Sequence, residues 1–73
     1  MIPLSEAQYK TPYIIRSLTE NTESNRFFMN LGCTIGDTIT VINKVAGNYV
    51  VQIKDGRFGL DSRFAKKIMV EKA

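Results

Sequence analysis

The 73-residue chain contains no histidine, no tryptophan, two prolines and a single cysteine, Cys33. Each scarcity excludes a class of function. One cysteine cannot form an intrachain disulfide, so the chain is not a small secreted scaffold stapled by several bridges. Without histidine it cannot build a zinc finger, a Cys/His nucleophile pair or a facial iron triad from its own residues. No apolar run approaches the ~18–20 residues needed to cross a bilayer. The opening MIPLSEAQYK lacks the basic start and apolar middle of a secretory signal. These features predict a cytoplasmic protein whose thiol stays reduced.

The composition that remains is ordinary for a folded domain: 44% hydrophobic and 23% charged. The length predicts one domain over residues 1–73 with a thin core, too short to wall a deep catalytic cleft. The net charge of +3 is spread along the chain rather than concentrated in the dense basic stripe of a nucleic-acid binder.

Periodicity supplies the elements. Leu4–Gln8 reads as one helical turn capped by Ser5. Pro12 opens a β-branched and aromatic run, Tyr13–Leu18, and proline is tolerated at a strand's first residue. The polar stretch 19–25 is a loop, with Glu20 and Glu23 suited to the positive end of a following helix. Residues 24–31 read as that helix, with Phe27, Phe28 and Leu31 on one face and Gly32 as its left-handed stop. Cys33 then falls where an apolar residue packs back on Phe28, an inert structural role. Gly36 suits the positive φ of a turn. Thr38–Ile42 and Tyr49–Ile53 alternate, placing Ile39 and Val41, then Tyr49, Val51 and Ile53, on buried faces. Ala46–Asn48 is a hairpin loop, and Asp55-Gly56 is the strongest hairpin signal. Arg57–Leu60 follows with Phe58 and Leu60 inward, and Gly59 between them permits a bend or close approach. Asp61 or Ser62 caps a helical turn, and Lys67–Glu71 is the last strand. Five short strands predict a small closed or half-closed barrel, because closure removes exposed edges.

The stretch from Arg26 to Val41, with Leu31-Gly32-Cys33-Thr34-Ile35-Gly36 as its most specific piece, resembles the FeoA family, an accessory component of bacterial ferrous-iron uptake. Leu4-Ser5-Glu6, Phe58-Gly59-Leu60 and Ala65–Val70 are similar to the family's other segments. Ile35 stands where the family's turn proline is usual, residues 9–13 lack a frequent Pro-Gly pair, and Asp61 replaces a commonly basic residue. The resemblance implies a mainly β fold: a five-stranded SH3-like β-barrel with one short α-helix between the first two strands. It implies a partner, the cytoplasmic region of the FeoB transporter, with the chain itself spanning no membrane and existing as a monomer or weak oligomer. A related barrel is the C-terminal domain of iron-dependent repressors, and a stand-alone regulatory barrel of that kind is an alternative reading of the function.

The residues suggest no enzyme. No nucleophile is paired with an activating base. Glu20 and Glu23 are the one close carboxylate pair, too few for a hard-ion site, so no metal and no cofactor is expected. Gly56-Arg57-Phe58-Gly59 lacks the ending and helix of a phosphate-binding loop. If Phe27, Phe28 and Leu31 face the core, the helical step turns Met29 outward beside Asn25 and Arg26. Asn25, Arg26, Met29 and Asn30 are therefore the candidate partner-binding residues, an exposed methionine being well suited to an adaptable contact. The loop at 19–25, the tip at 46–48 and the turn at 61–64 are further candidates. The alternative reading, a small barrel binding nucleic acid, would stack bases on Tyr9, Tyr13, Tyr49 and Phe58 beside Lys54 and Arg57. Tyr49 and Phe58, however, fall on the inferred core faces.

Overall fold

The computed structural model describes residues 1–17 and 35–73. Six strands form one antiparallel sheet: β1 (Ile2–Pro3), β2 (Pro12–Ser17), β3 (Thr38–Val45), β4 (Asn48–Ile53), β5 (Gly56–Asp61) and β6 (Met69–Lys72). A 3-10 turn, Leu4–Glu6, follows β1, and a short helix, α1 (Ser62–Ala65), joins β5 to β6. The strand order is β1-β6-β2-β3-β4-β5.

The alternating residues form the core. Ile15, Ile39, Val41, Val51 and Val70 are fully buried, and Tyr13, Tyr49, Ile53, Leu60 and Ile68 nearly so. Each such aliphatic side chain contributes about 2 kcal/mol on leaving water. In register, Ile39 faces Ile53, Val41 faces Val51, and Tyr49 faces Leu60. Apolar rows therefore line up across three strands on one face of the sheet.

β2 is paired on both edges. It meets β3 through Pro12–Thr40 to Ile14–Thr38 and β6 through Tyr13–Lys72 to Ser17–Met69. The β6 register shifts between Ile15 and Ser17, a bulge at Arg16, whose Nε donates to Glu71 Oε2 at 2.7 Å across the strands. Both side chains are about half exposed, so this pair contributes little to stability.

Three expectations are corrected here. The strands number six, because β1 is a two-residue strand below the length at which alternation is readable. The sheet does not close among the described residues: β1 and β5 lie at its two ends. Pro3 has no N–H with which to extend β1, and at Leu4 the chain bends into the 3-10 turn, which packs on α1, while α1 rests on β4 and β5. Helical turns and side chains, rather than a closing ladder, cover that end of the core. Thirdly, the short helix of the described residues sits between β5 and β6. The helix expected over 24–31, its Gly32 stop and the Cys33–Phe28 contact lie outside the described residues. Ser5 caps nothing: the 3-10 turn starts from Pro3 without a side-chain cap.

The turns show which local signals mattered. Gly36 takes φ of +101°, as its position requires. The β3–β4 loop has two residues, Ala46 and Gly47, both at positive φ, the signature of a type I′ turn. The β4–β5 loop is Lys54–Asp55, with Lys54 at φ +54°, so Gly56 is not a central turn residue but the partner of Ile53. A Cβ there would lie 2.7 Å from Phe58 Cζ, so the glycine lets that ring lie close over the backbone. Gly59 was expected to allow close approach, yet a Cβ there would meet nothing within 4 Å.

Ala46 holds a left-handed conformation that a Cβ disfavours. Ala46→Asn, which supplies the residue preferred before glycine in this turn, should stabilise the fold by about 0.5–1 kcal/mol. Urea denaturation at constant m-value is the check; a loss of stability would contradict the turn assignment.

Candidate interaction surface

The two described loops among the three candidates share one end of the sheet. Asn48 pairs with Val45 on one side and with Asp61 on the other, so the tip at 46–48 stands beside the turn at 61–64. A bulge between Val41 and Asn43 sets this end. It moves the register so that Lys44 lies opposite Tyr49, with its Nζ 5.2 Å from the ring centroid. Tyr49 is buried, and its hydroxyl donates to the Ser5 carbonyl at 3.3 Å, tying the hairpin to the 3-10 turn. Val45, past the bulge, is 55% exposed. The row Val45–Asn48–Asp61 thus places an apolar, an amide and a carboxylate side chain side by side across three strands.

Asp61 closes the row and starts α1. Its Oδ1 accepts the Arg63 backbone N–H at 2.8 Å and the Arg63 Nε at 3.3 Å. Asp61 is the helix cap expected from sequence. The Arg63 backbone N–H and then its side chain hold the Asp61 carboxyl below the ordinary carboxylate range.

The opposite end carries the β4–β5 turn, Ser17 at the end of β2 and Ile35 before β3. The Gly36 N–H donates to the Ile15 carbonyl at 2.8 Å, and the Ile15 N–H to the Asp37 carbonyl at 2.9 Å. Ile35, at the return point, is 60% exposed. Asn25, Arg26, Met29 and Asn30, together with Glu20 and Glu23, lie outside the described residues. The structure therefore unites two of the candidate loops and assigns no position to the four singled-out residues.

Tyr9, Tyr13, Tyr49 and Phe58 do not form a stacking platform. Tyr13 and Tyr49 are core residues and Phe58 packs against the core, leaving Tyr9, 50% exposed, as the open ring of the four. Tyr13 was the one misplaced by sequence reasoning; its hydroxyl accepts the Gln8 N–H at 3.0 Å. Against its side of the sheet lies a recess of about 240 Å³ lined by Met1, Ile2, Tyr13, Val70, Glu71 and Lys72. That is smaller than typical small-molecule clefts. Among the described residues no group of three or more acidic, cysteine or histidine side chains is placed to hold a metal. None of their helices is long and apolar enough to cross a membrane. Val45 and Lys44 were missed because the bulge that exposes them interrupts the alternation of β3.

The FeoA domain family matches residues 2–72, nearly the entire chain. The chain belongs to the FeoA domain family. This family is an accessory and regulatory one associated with Feo iron transport, not a known enzyme class. Solved structures share the SH3-like small β fold. The iron uptake regulatory protein FeoA superposes with a TM-score of 0.84 at 25% identity, covering 99% of this chain and 96% of that one. The FeoA-like protein of Clostridium acetobutylicum gives 0.83 at 22% identity, covering 97% and 85%. ScaR with bound Zn2+ gives 0.87 at 24% identity, covering all of this chain but 37% of ScaR, so this FeoA domain spans little more than a third of that protein's length. No curated protein sequence matches.

The Asp61 cap makes a pH prediction for the FeoA fold. A carboxyl depressed in the folded state contributes stability above its unfolded pKa and loses it as pH falls through the folded value. Asp61→Ala should therefore lower Tm at neutral pH, and the deficit should shrink as the solution is acidified below the ordinary carboxylate range. Thermal melts across pH 7 to about 2 test this; a deficit unchanged by pH would assign the loss to packing rather than to the charge.

Proposed function

We propose that this protein is a non-enzymatic regulatory module of ferrous-iron uptake that docks on the cytoplasmic part of a FeoB-type transporter. The observation that carries the reading is the family match over residues 2–72. The likeness to the iron uptake regulatory protein FeoA over almost the full length of both chains supports the regulatory role.

Docking would be a protein–protein event. The partner-facing residues are Asn25, Arg26, Met29 and Asn30, with Met29 as the apolar anchor and the polar neighbours as its rim. To regulate, the module must bind two states of the transporter with different affinity, since equal affinity shifts no equilibrium. The module assists iron transport without holding iron, because its side chains lack the nitrogen and paired sulfur ligands that ferrous iron prefers.

An NMR titration of labelled protein with the cytoplasmic region of the cognate transporter, run with a GTP analogue and with GDP, tests this. Shifts clustered at residues 25–30 are expected, differing between nucleotide states. Met29→Asp should keep the amide spectrum of the folded sheet and weaken binding about tenfold or more, as loss of a buried interface anchor does. Unchanged affinity would remove Met29 from the interface; no shifts in either state would remove the partner.

A further inference from the structure

β5 ends the sheet, and on its side away from β4 no strand pairs with it among the described residues. The two-residue loop Lys54–Asp55 makes Ile53 and Gly56 a pair that exchange both backbone hydrogen bonds. The alternation of antiparallel ladders then fixes the rest. Phe58 and Leu60 turn their backbone groups toward β4, whereas Arg57, Gly59 and Asp61 turn theirs to the open edge. Asp61 offers its N–H there, its carbonyl lying at the start of α1. Arg57 and Gly59 are exposed and Asp61 is half-buried.

Natural edges are blunted by short length, proline, bulges, charged side chains or a covering helix or loop. β5 carries no proline and no register shift against β4, and of these devices it keeps its charges. It is six residues long, and its outward charges are opposite in sign, each two residues from Gly59. Among the described residues nothing requires Gly59 to be glycine: its φ is not left-handed, and a Cβ would meet none of them within 4 Å. An open space above a bare backbone position is what an approaching second backbone uses.

We propose that β5 is a self-recognition edge, pairing antiparallel with β5 of a second copy of this chain about a two-fold axis at Gly59. That register sets Gly59 against Gly59 of the second copy and Arg57 against its Asp61, twice by symmetry. Phe58 falls opposite the second copy's Leu60 on the core side, joining the two sheets. Parallel in-register pairing would instead stack Arg57 on Arg57 and Asp61 on Asp61, so charge selects the antiparallel form. Within one copy Asp61 is held by Arg63, whose side chain is 86% exposed and free to swing aside. Arg57 takes part in neither the Arg16–Glu71 nor the Arg63–Asp61 ion pair. The buried area is small, so the dimer is weak and reversible. This inference does not depend on the transporter reading.

Sedimentation equilibrium of the full chain at low ionic strength, up to about 1 mM as a weak interface requires, is combined with amide exchange by NMR. Wild type should dimerise reversibly, and the amides of Arg57, Gly59 and Asp61 should slow with concentration while those of Phe58 and Leu60 do not change. Arg57→Asp and Asp61→Arg should each weaken self-association about tenfold or more by placing like charges opposite. Their equimolar mixture should associate again, because each edge then meets its complement. A wild type that stays monomeric overturns the proposal, as does a dimer that leaves the β5 amides unprotected or a mixture no tighter than either variant. If Asp61→Arg unfolds with its helix cap, Arg57→Asp decides alone: self-association equal to wild type overturns the proposal.

Discussion

The fold depends on β2 having strand partners on both edges. Pro12–Ser17 pairs with β3 on one side and with β6 on the other, so one short strand holds together segments far apart in sequence. Ile15 lies at the centre. It is fully buried, pairs with Val70, and exchanges backbone hydrogen bonds with Gly36 and Asp37. In a chain that hides so little surface, a strand bonded on both edges and packed by Tyr13 and Ile15 is what orders the others. The β3–β4–β5 meander is local and follows from two tight turns. The pairing of β2 with β6 is long-range and carries the entropic cost of closing the chain.

Much of this was legible in the alternation of β3, β4 and β5. Ile39, Val41, Tyr49, Val51, Ile53 and Leu60 point inward as a period of two requires. The proline opening β2, the left-handed Gly36 and the Asp61 cap were legible because each rests on local backbone chemistry. Lateral order was less so. Periodicity reports which face a residue takes, not which strand stands next to it, so an open order with β1 and β5 at its ends could not be told from a closed one. Turn identity slipped for a related reason. Asp55-Gly56 is a common turn pair, but here the glycine is spent on the Phe58 ring, and Lys54 takes the left-handed position.

The functional surface divides along the same line. That Tyr49 and Phe58 serve the core was readable from their strands. Tyr13 was harder, since the run Tyr13-Ile14-Ile15 is apolar throughout and does not declare its inner face. Nothing in the sequence could show that the 46–48 tip and the 61–64 turn are neighbours, because Asn48 and Asp61 meet through strand register alone. The bulge before Asn43 was equally silent, although it exposes Val45 and swings Lys44 over Tyr49.

The clasp at the far end of the sheet has a thermodynamic consequence. Ser17 ends β2 and Ile35 precedes β3, and the hydrogen bonds between Ile15 and residues 36–37 hold the two strands together there. The clasp forms only when the chain between Ser17 and Ile35 has closed on itself. Closure entropy grows slowly with length, by about 0.6 kcal/mol for each doubling, so the cost of the clasp depends little on the number of residues it spans.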